Sequence, residues 1–88
     1  MTFEWDDAKA EANLAKHGVA FELARRFEFE TAYEYEDRDA FGEQRFVAVG
    51  LIANKVYVLA YTERATAIRV ISLRRAEKRE IRTYVENL

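Results

Sequence analysis

The stretch RFVAVGLIANKVYVLAYTERATAIRVISL, residues 45–73, decides the fold. Residues 45–52, 55–62 and 67–73 are dense in Val, Ile, Phe and Tyr, side chains that suit a pleated surface. Asn54 supplies a tight turn between the first two runs, and residues 63–66 supply the turn between the second and third. Connections this short join antiparallel neighbours, because a parallel crossover needs a dozen or more residues. The centre of the chain is therefore a three-stranded antiparallel meander.

Working outward toward the N-terminus, residues 31–36 read as another strand with Tyr33 and Tyr35 on one face. Residues 37–42 are polar, contain a glycine and read as a loop. Residues 20–27 predict a helix that gathers Leu23, Ala24 and Phe27. Before it, residues 7 to about 16 predict a longer helix, capped by the Asp6 carboxylate and stopped by Gly18. Ala8, Ala12 and Ala15 line part of one face of that helix. Phe3-Glu4-Trp5 alternates apolar and polar and reads as a short strand, with Trp5 in the core. Toward the C-terminus, a charged helix is expected from about residue 75, with Ala76, Glu80 and Tyr84 along one stripe. The expected order is β-α-α-β-β-β-β-α: an α+β fold, an antiparallel sheet with packed helices. Residues 1–88 are expected to make one domain.

Half the residues are hydrophobic and 14% aromatic, which excludes a disordered tail. There is no cysteine and only one histidine, so disulfides, thiolate metal sites and His-rich zinc sites are excluded. No apolar run reaches the roughly 18–20 residues that span a bilayer, and residues 1–7 carry no secretory signal pattern. A cytoplasmic protein with no membrane partner is expected.

The formal charge of −2 hides a division along the chain. Residues 1–44 carry twelve acids and five bases, a balance of −7; residues 45–88 carry four acids and nine bases, a balance of +5. The basic half is densest at Arg64, Arg69, Arg74, Arg75, Lys78, Arg79 and Arg82. Arginine presents a rigid fork of donors that matches two phosphate oxygens at once, which lysine does not. An arginine field on an acidic chain points to a positioned polyanion site rather than to non-specific coating. A solvated charged helix is the plainer alternative.

Three blocks carry a family resemblance. The first is Phe3-x-Trp5-Asp6-x-x-Lys9-x-x-x-Asn13-x-x-Lys16-His17-Gly18-Val19-x-Phe21. The second is Glu43-x-Arg45-Phe46 followed by Gly50. The third is Tyr61-Thr62-Glu63-Arg64, then Ile68-Arg69-x-Ile71-Ser72-x-Arg74-x-Ala76, with Glu80 and Tyr84 after it. In this order the blocks cover nearly the whole chain, and the chain resembles the BrnT family of toxins. The resemblance implies a RelE-like fold, a ribonuclease activity that halts translation, and a DNA-binding, BrnA-like antitoxin as partner. It also implies a 2:2 complex that contacts operator DNA through the antitoxin. Where related sequences often carry Asp-Pro after the second helix, this chain has Phe29-Glu30; where they often carry Gly-Asp, it has Ala65-Thr66.

RNA cleavage without a metal uses the ribose 2′-hydroxyl as nucleophile. It needs a group to take that proton, one to protonate the leaving 5′-oxygen, and cations on the charged transition state. No carboxylate pattern here resembles a two-metal site, so the metal-free route is expected, with no cofactor. Arg64, at a hairpin tip, is free to meet a phosphate or to be a solvated turn residue. Arg74, Arg69 and Arg75 follow on or just after the next strand, where ion pairing with the acidic half is the structural alternative. His17 is the one side chain that ordinarily titrates near neutrality, yet Lys16-His17-Gly18 is also what a helix end favours. Glu43 is a candidate base or the partner of an arginine. Tyr84 is a candidate RNA contact or a core residue. The candidate catalytic set is Arg64, His17, Arg74 and Glu43; the candidate RNA-binding set is Arg69, Arg75, Lys16 and Tyr84. A non-catalytic RNA-binding module built on the same arginines is the alternative function.

Overall fold

The computed structural model describes residues 2–37 and 42–88. Its elements are β1 (Thr2–Glu4), α1 (Asp7–His17), a 3-10 segment Phe21–Arg26, a 3-10 turn Phe29–Thr31, β2 (Tyr33–Asp37), β3 (Arg45–Ile52), β4 (Lys55–Arg64), β5 (Ala67–Arg75) and α2 (Lys78–Glu86). The five strands form one sheet in the order β1-β5-β4-β3-β2. The β2-β3-β4-β5 meander is antiparallel throughout, as its short connections require. The loop expected over residues 37–42 falls mostly outside the described residues, and β2 runs on to Asp37.

The expected all-antiparallel sheet is corrected at its edge. β1 lies parallel to β5, with Phe3 opposite Ile68. No tight turn joins these two strands, so nothing in the local sequence fixes their relative direction. The second helix is also corrected. It is a 3-10 segment, because Phe21 and Ala24 are three apart and both fully buried, and a three-residue turn aligns them against the core. The last helix begins at Lys78 rather than near residue 75. Arg74 and Arg75 belong to β5, opposite Val58 and Tyr57, and Glu77 caps the helix in a reciprocal box with Glu80. Asp6 caps α1 by accepting from the Lys9 N–H, and Gly18 ends it with φ of 70°.

Side chains alternate across the strands into two layers. Ala48, Ile52, Leu59, Tyr61, Ile68, Val70 and Leu73 pack with Val19, Phe21, Ala24 and Phe27 on one face. Val49 and Val58 pack with Tyr84 of α2 on the other. Trp5 lies edge-on to Phe21, centroids 6.0 Å apart, on the first of these faces. Gly50 is required by close approach: a Cβ there would stand 2.9 Å from the Phe27 ring and 3.0 Å from the Ala32 methyl. Ala65 takes φ of 51° in the β4–β5 turn, a strained conformation for alanine and a relaxed one for glycine. The departure from Gly at this position therefore costs backbone strain on the order of 1–2 kcal/mol.

β1 pairs only with Ala67, Ile68 and Arg69, so the rest of that β5 edge must be satisfied otherwise. Asn13 does this from α1. Its side-chain amide donates to the Leu73 carbonyl at 2.8 Å and accepts from the Leu73 N–H at 3.2 Å, imitating a strand partner. A third bond runs to the Val19 carbonyl at 3.0 Å, and the side chain is buried. Among the described residues no helix is long and apolar enough to cross a membrane.

Candidate nucleic-acid site

α2 covers only part of its face of the sheet. Beyond it, toward the β4–β5 turn, the same face carries a charged row, because paired residues share a face: Thr62 opposite Arg69, and Arg69 opposite Glu4. Arg45 and Arg64 keep the parity of Val49 and Val58 and so join this face. The structure brings Arg64 and Glu43 together here. The Arg64 guanidinium donates through Nε to one Glu43 oxygen at 3.2 Å and through a terminal nitrogen to the other at 3.5 Å. That bond, supported by the charges of Arg64 and Arg69, holds the Glu43 carboxyl below its ordinary 4.5. Glu43 is thus an anion at neutral pH: able to accept a proton, unable to donate one. Thr62 Oγ1 is near enough to favour that charge, yet meets no described group in hydrogen-bonding geometry although it is buried.

Arg69 reaches Glu4 at 3.4 Å on the neighbouring strand. Arg74 makes two bonds of 2.8 Å to the Glu80 carboxylate and a third to the Arg75 carbonyl. Glu80 also accepts from the Glu77 N–H, so one carboxylate caps α2 and clamps it to β5. The N-terminus of α2 is therefore occupied by the chain's own carboxylates. Arg75 points to the opposite face and stacks over the Tyr57 ring at 5.5 Å. Tyr84, read from the sequence as a candidate RNA contact, is 4% exposed and packs with Val49 and Val58, which leaves it no open face. Tyr61 lies on the α1 side of the sheet; burial first, then its hydrogen bond to Glu34, pushes its hydroxyl far above the usual range.

Lys16 and His17 lie elsewhere, in a cleft between α1 and β5 that is also lined by Lys9, Arg45 and Ser72. Lys9, Arg45, Thr62 and Glu4 are additions to the candidate catalytic and RNA-binding sets; the first three stand in the family blocks without an assigned role. Lys9 and Lys16 are seven apart on a helix and share a face, a signal present in the spacing. The pairing of Thr62 with Arg69 was hidden by a β-bulge at Ile71, which no turn residue announces.

The Arg74–Glu80 clamp makes a stability prediction. Its carboxylate is held below 4.5, chiefly by Arg74, so the stabilisation is complete above that value and drains as pH falls through the depressed one. Glu80→Ala removes the cap and the clamp together, about 2 kcal/mol, or roughly 8–16 °C in Tm for a chain of this size. Thermal unfolding at pH 7 and pH 3 checks it. The gap between wild type and variant should shrink at the lower pH; an equal gap would remove the ion pair from the account.

Residues 5–80 match the model of a family described as the ribonuclease toxin, BrnT, of type II toxin–antitoxin systems. No match was found among curated proteins. The crystal structure of the Brucella abortus ribonuclease toxin BrnT superposes with a TM-score of 0.73 at 26% identity, over 89% of this chain and 99% of that one. An α+β sheet of this topology with a charged, arginine-bearing face, matched by the family over most of its length, leaves one assignment: the chain belongs to the BrnT family, the ribonuclease toxins of type II toxin–antitoxin systems.

Proposed function

We propose that the chain is an endoribonuclease of RelE-like fold that cuts RNA by metal-free acid–base chemistry, and that the Arg64–Glu43 pair is the centre of its site. The observation that carries this is the pair itself, a bidentate cation–carboxylate couple exposed on an open sheet face beside Arg69 and the buried Thr62 hydroxyl, which has no hydrogen-bond partner among the described residues. In the reaction the ribose 2′-oxygen attacks the adjacent phosphorus and loses its proton to a base. The 5′-oxygen leaves with a proton from an acid, giving a 2′,3′-cyclic phosphate and a 5′-hydroxyl. Glu43, ionised, can take the first proton; His17 is the candidate for the second role. Arg64 and Arg69 supply charge to the phosphorane-like transition state, where such donors contribute most. Arg74 sets the position of α2 beside this face.

Cleavage of cellular RNA would arrest translation and growth. The type II family implies an antitoxin partner; we take it to be a BrnA-like, DNA-binding protein that forms a 2:2 complex and contacts operator DNA through its own domains. Production of the chain alone in bacteria should stop growth within a few generations, and co-production of the neighbouring antitoxin should restore it. Purified protein should cut single-stranded RNA in the presence of EDTA. Normal growth at verified expression, with no cleavage in vitro, would sink the reading; cleavage abolished by EDTA would overturn only its metal-free part.

A further inference from the structure

The cations foremost in the sequence are already engaged. Arg64, Arg69 and Arg74 each hold a carboxylate, from Glu43, Glu4 and Glu80. The cleft between α1 and the bulged edge of β5 is different. It is an open hollow of about 350 Å³. Three cations line it, Lys9, Lys16 and Arg45, together with His17, Asn13 and Ser72, and among the described residues no carboxylate lines it. Among the described residues no salt bridge engages Lys9, Lys16 or Arg45. A hollow on the other face, lined by Glu34, Glu36 and Glu63, shows the opposite arrangement, so the segregation of charge is sharp.

From this we propose that the α1–β5 cleft is a second phosphate subsite for single-stranded RNA, holding a backbone phosphate next to the one cut at Arg64–Glu43. The proposal rests on the ribonuclease reading for its substrate. Three like charges gathered in one hollow repel one another, and an entering phosphate relieves that repulsion at each of them. Arg45 links the two sites: it lines the cleft and stands two residues from Glu43, a span of at most about 7 Å. The Ile71 bulge, where Tyr61 pairs with Val70 but Ala60 with Ser72, turns the Ser72 side of β5 toward the cleft. Ser72 can donate to a phosphate oxygen, and Asn13 is held by backbone bonds on the cleft floor. Phosphate contacts of this kind place the strand and set register without reading sequence.

The test uses a single-stranded oligonucleotide with 2′-O-methyl riboses, which binds but lacks the attacking hydroxyl. Binding to the full chain is titrated across a range of salt. Lys9→Gln/Lys16→Gln should weaken binding about tenfold at physiological salt and flatten the salt slope by about 0.7 per cation removed. Arg45→Gln should act in the same direction, while Lys55→Gln, at the remote start of β4, should leave affinity and slope unchanged. Thermal melts should coincide, since Lys9 and Lys16 are exposed. Unchanged affinity and slope in the cleft variants would overturn the subsite while wild-type cleavage kept the ribonuclease reading intact. Wild-type protein that binds through the cleft but never cuts natural RNA would remove the ribonuclease reading and keep the subsite. Wild-type protein that fails to bind the oligonucleotide overturns the subsite outright.

Discussion

Replacing Arg64 by alanine is expected to slow RNA cleavage by about 100-fold, the loss that follows removal of one donor to a developing charge. The fold should hardly register the change. The Arg64 and Glu43 side chains are each about half exposed, 53% and 49%, and exposed pairs contribute little. Tm should move by less than about 4 °C. The fall should appear in kcat more than in KM, because a phosphate in the ground state still meets Arg69 and the cleft cations, whereas the added transition-state charge falls to Arg64. A pH profile separates the roles of the pair. With Arg64 present, the Glu43 base stays ionised below 4.5, so the acid limb of kcat/KM lies below that value. With Arg64 gone, the carboxyl returns upward and the limb moves with it. Normal cutting by Arg64→Ala, or a lost rate that follows a lost fold, would move Arg64 out of the chemistry.

The legible part of this fold is the part encoded locally. Asn54 and the short segment 63–66 force the β3-β4-β5 hairpins, and Asp6 and Gly18 bound α1 to within a residue. What the sequence hides is decided at a distance. The direction of β1 depends on contacts of Phe3 with Ile68 and of Glu4 with Arg69, more than sixty residues away. The residues 20–27 carry an apolar spacing that fits either kind of helix, and the choice of a 3-10 turn comes from burial of Phe21 and Ala24 against the sheet. The site divides along the same line. Arg64 and Glu43 can be named from residue type, but their partnership across 21 positions cannot. The arginine field divides as well: charge counting gathers Arg69, Arg74 and Arg75 into one group, while strand parity sends Arg75 to the opposite face and α2 claims Arg74. The cleft cations are drawn from both ends of the charge division, which is why a tally of acidic and basic halves passes over Lys9 and Lys16.

Asn13→Ala should be the most destabilising single change outside the apolar core. Asn13 reads like an ordinary polar helix residue, yet it is buried and joins three chain segments. Its removal leaves the Leu73 N–H and carbonyl and the Val19 carbonyl without their partner. Leu73 lies at a fully buried position, where an unmade hydrogen bond costs most. With about 1 kcal/mol for each of the three bonds, the loss is about 3 kcal/mol, or on the order of 15 °C in Tm. Asn13→Asp should be at least as harmful, since a carboxylate can accept from the Leu73 N–H but would face the Leu73 and Val19 carbonyls with no proton to offer. That order separates hydrogen bonding from volume, because Asp is nearly the same size as Asn and fills the space that Ala vacates. Hydrogen exchange at the Leu73 amide gives a local reading: it should accelerate in both variants more than the amides of Val47 and Val49 in the β2–β3 ladder. A melt within about 3 °C of wild type for Asn13→Ala, or Asp tolerated better than Ala, would mean that water or a shifted β1 closes the β5 edge instead, and that α1 is held to the sheet by its apolar contacts alone.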